Sequence, residues 1–117
     1  MQNDLAALRR ALLDIAAAYP GGVSIVSSAD LAHTHSAQGR DGFHESAAAF
    51  DALVQRWART PERETLNRLL ALQPTAKACG IAGMCMLQTI FDSGHLTCGP
   101  TTCAVPSYFG MMVAQWV

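Results

Sequence analysis

This 117-residue sequence predicts an α/β fold, a partial central sheet flanked by helices, and three observations support that reading. Apolar residues recur at helical spacing in four stretches. Two short runs rich in β-branched and aromatic residues, at residues 23–27 and 108–117, read as strands. Half of the residues are hydrophobic and only 15% are charged. Such an excess suits a sheet covered on both faces, or a partner over what remains bare. The length fits a single domain over residues 1–117, or a part of one.

Residues 4–18 read as an amphipathic helix, with Leu5, Leu8, Leu12 and Ile15 on one stripe and Arg9, Arg10 and Asp14 off it. Pro20-Gly21-Gly22 breaks that pattern, and Val23 to Ser27 follows as a buried strand. Residues 28–44 form a long polar loop holding three of the four histidines, a length that usually carries function or disorder. Residues 45–59 return to helical spacing through Phe50, Leu53, Val54 and Trp57. Thr60-Pro61-Glu62 is a helix start: a hydroxyl cap, a proline in the first turn and an acid at the positive end. Leu66, Leu69 and Leu70 give the next helix its apolar side, and Gln73-Pro74 closes it. Residues 75–91 predict a helix apolar nearly all round, hence buried, ended by Asp92-Ser93-Gly94. Residues 96–102 are ambiguous, with a turn expected at Gly99-Pro100, and residues 108–117 close the fold as a strand.

A net charge of −1 gives no electrostatic case for nucleic acid or an anionic membrane. The N-terminus lacks the basic flank and continuous apolar run of a secretory leader, so a cytoplasmic location is expected. The apolar stretch at residues 78–91 is too short to cross a bilayer. Cys79, Cys85, Cys98 and Cys103 form no Cys-x-x-Cys pair, and their spacings match no common zinc pattern. Cys85 reads as a small buried hydrophobe.

The segment Val26-Ser27-Ser28-Ala29-Asp30-Leu31-Ala32-His33 resembles the strand-to-loop motif of the class III extradiol ring-cleavage dioxygenases. Gly42-Phe43-His44 with Ala49-Phe50-Asp51, Leu70-Ala71-Leu72-Gln73-Pro74, Ala78-Cys79-Gly80 and the stretch from Pro106 to Ala114 resemble later motifs of that family, in its order. The resemblance runs from about Pro20 to the last residue and covers the carboxyl-terminal half of the family fold. It implies a non-haem Fe(II) oxidoreductase that inserts O₂ beside the hydroxyls of a catecholic aromatic and opens the ring. His33 resembles the family's catalytic acid/base histidine, and the resemblance makes Asp30 and His35 substrate-binding candidates. The family's metal histidines lie ahead of the matched segment, where this chain has none, and no Asp or Glu occurs between Thr65 and Phe91. The resemblance therefore implies a metal site completed by a missing half, from a separate subunit or from a longer parent chain. A Memo-like branch has a cysteine in its "ICG" motif, which Cys79 resembles; that branch implies a non-catalytic metal-binding or protein-binding module instead.

The residues themselves leave these roles open. His33 is either catalytic or a loop cap, and His35 is either a metal partner of His33 on an extended chain or a solvated residue. Cys79 is a metal ligand, a reactive thiol at a helix start or a packed cysteine. His44, just before a helix, reads as an exposed residue, and His95 falls in a short loop. An apolar half-fold with open strand edges predicts a homo-oligomer or a complex with a second subunit.

Overall fold

In the computed structural model, which describes residues 2–92, 94 and 96–117, the elements run as four helices followed by a hairpin. Helix α1 is Gln2–Ala18, α2 is Ser46–Arg59, α3 is Arg63–Ala76 and α4 is Ile81–Phe91. Strands β1 (Thr102–Ala104) and β2 (Met111–Val113) form a two-stranded antiparallel sheet. The chain is thus a mixed α/β fold, with a short ribbon where a partial central sheet was expected.

The core is built on α2. Phe50, Val54, Trp57 and Ala58 are buried at steps of four, three and one, and they meet Leu66 and Leu69 of α3 and Met84 of α4. Leu70, expected on the same apolar side, is largely exposed. Each fully buried side chain of this size contributes about 1.5–3 kcal/mol by leaving water. Trp57, Phe91 and Trp116 pack as an aromatic trio with ring centroids 5.0–6.0 Å apart. Both indoles are satisfied: Trp57 Nε1 donates to Gln88 Oε1 at 2.8 Å, and Trp116 Nε1 donates to the Ala58 carbonyl at 2.8 Å. Gln88 is buried with its amide donating to the Pro61 carbonyl and to Asp92. Asp92 also pairs with Arg63, which ties the end of α4 to the start of α3.

Three expectations change. The first is the strand at residues 23–27, which does not form. Those residues carry no backbone hydrogen bond among the described residues, and Val26 is 85% exposed. A β-branched run is a strand only when another strand offers it donors and acceptors, and here none does. The pairing segment lies just downstream. Leu31 N–H donates to the Gly110 carbonyl and Gly110 N–H to the Ala32 carbonyl, both at 2.9 Å, and His35 N–H reaches the Tyr108 carbonyl at 3.3 Å.

The second change concerns the helix boundary near Pro74. Helix α3 continues through it to Ala76 and stops at Lys77, whose left-handed φ of 55° ends the helix. A proline three residues from a helix end removes only one bond, and the carbonyls left over at that end are taken up by the segment beside them. His33 N–H donates to the Ala76 carbonyl at 2.8 Å, and Thr34 Oγ1 donates to the Thr75 carbonyl at 3.0 Å. The single helix expected over 75–91 is therefore an end, a joint at 77–80 and α4.

The third change is that Gly99-Pro100 makes no turn. Cys98 opposes Trp116, yet Thr102 opposes Val113, so the β1 side carries one extra residue between the two pairs. That is a bulge, and it accommodates a proline that has no N–H to give a ladder. Met111–Val113 keeps the strand predicted at 108–117, shortened to its middle.

Asp51 leaves no room for a side chain at Gly110: a Cβ there would collide with the Asp51 carboxylate. We expect Gly110→Ala to lower the urea unfolding free energy by about 1–3 kcal/mol, the usual cost of overpacking. An unchanged midpoint would show that Asp51 does not hold this position.

Candidate functional site

The extended stretch from Asp30 to His35 carries the candidate residues, and α2 fixes it in place. Asp51, buried on α2, accepts the Ala32 N–H at 3.0 Å through Oδ1 and meets His35 Nε2 at 2.7 Å through Oδ2. This orients the segment, and the His33 ring lies against the loop that follows, near Asp41. The loop itself is tight rather than disordered. His35 bridges Phe43, His44 N–H donates to the Thr34 carbonyl at 2.8 Å, and Gly42 takes a φ of 72° that a residue with a Cβ would resist. This closure brings Asp41 back over His33.

The His33 ring is 14% exposed and has a carboxylate near each nitrogen. Nε2 lies 3.3 Å from Asp30 Oδ2, and Nδ1 lies 3.7 Å from Asp41 Oδ2. Neither contact is a hydrogen bond, the first for its direction and the second for its length, and the buried Nε2 has no hydrogen-bond partner at all. Tyr108 and Phe109 present edge-on rings to His33, with centroids 6.1 and 6.2 Å away.

Cys79 reaches the same place from the joint between α3 and α4. Asp30 N–H donates to Cys79 Sγ at 3.3 Å, and Gly80 packs its backbone against Ala29 and Asp30. One donor atom each from Asp30, His33 and Cys79 lies within 4.8 Å of the other two. Three candidates read from the sequence thus converge, although Cys79 is 49 residues from Asp30 along the chain.

The remaining candidates lie apart from this group. His35 is held on Asp51 with little exposure, and its backbone joins Tyr108. His44 uses Nδ1 to accept the Ser46 N–H at 3.1 Å, so it helps to cap α2. His95 lies outside the described residues. Asp41 is the residue beside His33 that sequence reasoning missed. It was read as loop composition, and the glycines on either side of Arg40-Asp41 were the available signal of a tight return.

The other cysteines differ in chemistry. Burial pushes the Cys85 thiol up, against a smaller lowering by Arg63. Burial also raises Cys103, with nearby Asp51 adding to the rise. Both stay neutral thiols to higher pH than an ordinary cysteine.

No family model matches the chain, and no curated protein matches it. No helix among the described residues is long and apolar enough to cross a membrane.

Alkylation separates the thiols. With iodoacetamide at neutral pH and mass-spectrometric mapping, we expect Cys79 to be modified well before Cys85 and Cys103. Equal rates at the three positions would contradict the exposure of Cys79 and the raised thiols of Cys85 and Cys103.

Proposed function

We propose that the chain is the His33-bearing part of a class III extradiol ring-cleavage dioxygenase-like protein, acting on a catecholic aromatic with O₂. The observation that supports this reading is the setting of His33: a largely enclosed imidazole between two carboxylates and beside two aromatic rings. An imidazole so placed takes a proton from a substrate hydroxyl and returns it to the opened product. Asp30 and Asp41 place a carboxylate oxygen near each of its nitrogens. Asp30, 44% exposed, also faces outward far enough to meet a substrate hydroxyl. His35 acts indirectly, keeping the Tyr108 backbone beside the segment.

Iron, when bound, would supply the Lewis-acidic centre on which catecholate and O₂ meet. Its usual donor set of two histidines and a carboxylate is not assembled among the described residues, because His35 is engaged by Asp51 and His33 stands alone. Fe(II) at a centre of that type therefore needs donors beyond these residues, from a homo-oligomer partner, a second subunit or a longer parent chain. The apolar residues left outside fit that requirement, since Val23, Val26, Val113 and Val117 are all exposed.

A second reading is a Memo-like module that binds metal or protein without catalysis. The position of Cys79 beside Asp30 and His33 favours it.

Anaerobic loading with Fe(II), followed by O₂ and simple catechols, tests the first reading. The yellow ring-opened product is expected, with His33→Ala lowering turnover by about 10²–10⁴. Turnover unchanged in His33→Ala removes the proton-transfer role, and no turnover with any partner sinks the enzyme reading. Sedimentation should show a dimer or larger species; a single monomer boundary counts against the partner.

A further inference from the structure

We propose that Asp30, His33 and Cys79 form a divalent-cation site of the zinc class, with Asp41 as its outer carboxylate. The donors are a thiolate, an imidazole and a carboxylate, all within 4.8 Å of one another. Around zinc, ligand bonds of about 2.0–2.3 Å in a tetrahedron put neighbouring donors roughly 3.3–3.8 Å apart. The contact of His33 Nε2 with Asp30 Oδ2, at 3.3 Å, already has that spacing. The remaining approach is small, and Asp30 and Cys79 are the exposed members with freedom to make it.

Two further observations point to a ligand. The His33 Nε2 atom is buried and without a hydrogen-bond partner, a costly condition that a bound cation relieves. Its other nitrogen faces Asp41 Oδ2 at 3.7 Å. A carboxylate behind one nitrogen of a histidine turns the other toward a metal and strengthens it as a donor. The sulfur is held in place beside them, since the Asp30 N–H donates to Cys79 Sγ at 3.3 Å. Backbone bonds hold the scaffold, with His33 N–H on the Ala76 carbonyl at the end of α3.

The donor chemistry selects the ion. Magnesium and calcium prefer oxygen ligands, whereas thiolate with imidazole suits zinc and its neighbours. Three protein donors leave a fourth position open to water or a small molecule, as in catalytic rather than structural zinc sites. This site does not rest on the ring-cleavage reading. A cation on Nε2 removes that nitrogen from proton transfer, so the two uses of His33 exclude each other.

Cobalt(II), added to the purified full chain, is the spectroscopic probe. We expect a thiolate-to-cobalt charge-transfer band in the near ultraviolet, displaced by Zn(II). Cys79→Ser should abolish it, and Asp30→Asn and His33→Gln should each weaken binding at least tenfold. Asp41→Asn should weaken it roughly ten- to a hundredfold, as outer-shell losses do. Cys85→Ser should leave the band in place. No band, a band that survives Cys79→Ser, or affinities unchanged in Asp30→Asn and His33→Gln would overturn the site. Should a variant lose its helical circular dichroism, the unaltered chain decides: Zn(II) must protect Cys79 from iodoacetamide, and undiminished alkylation refutes the proposal. Catechol turnover without a cobalt–thiolate band defeats this site alone; a band without turnover defeats only the dioxygenase reading.

Discussion

Asp51 sends one carboxylate oxygen to the Ala32 N–H and the other to His35 Nε2, from inside α2 into an extended segment that has no strand of its own. Everything near His33 depends on that contact. The segment bonds on one side to Tyr108 and Gly110 and on the other to the end of α3, so a single acid registers three parts of the chain. Its burial makes the contact costly to leave half made: a buried polar group that loses its hydrogen-bond partner typically costs about 1–3 kcal/mol. Gly110 completes the arrangement by having no Cβ where the carboxylate sits.

Much of the helical architecture was legible in the sequence because its signals are local. The apolar steps through Phe50, Val54 and Trp57 define α2, and Thr60-Pro61-Glu62 marks the start of α3 to within a residue or two. The candidate group was legible in part: Asp30, His33 and Cys79 were each singled out, and the fold brings their donor atoms together. Their mutual distance was not legible, since it depends on how α3 ends. That end was hidden by Pro74, which stops most helices but is tolerated here because His33 and Thr34 take up the carbonyls beyond it. Asp41 was hidden for a similar reason, as a loop's return path is set by turn geometry and not by periodicity.

The Val23-to-Ser27 run illustrates the opposite failure. Its composition is that of a buried strand, but strand formation is a property of pairs, and the described residues offer it no neighbour. The same lack of cover appears on α1, where Leu8 and Ile15 of the predicted apolar stripe are exposed. Helix α1, the 23–29 stretch and the outer face of β2 together present the apolar excess visible in the composition. The core around Trp57 absorbs only part of it.

The joint at 77–80 has a mechanical aspect. Lys77 holds a left-handed turn that costs a residue with a Cβ about 1–2 kcal/mol, and two residues later Cys79 reaches back to Asp30. This short connection sets the direction in which α4 departs from α3, and the sulfur sits at its pivot. Phe91, in the last turn of α4, meets Trp57 and Trp116, so one short helix joins the thiol at its start to the aromatic trio at its far end.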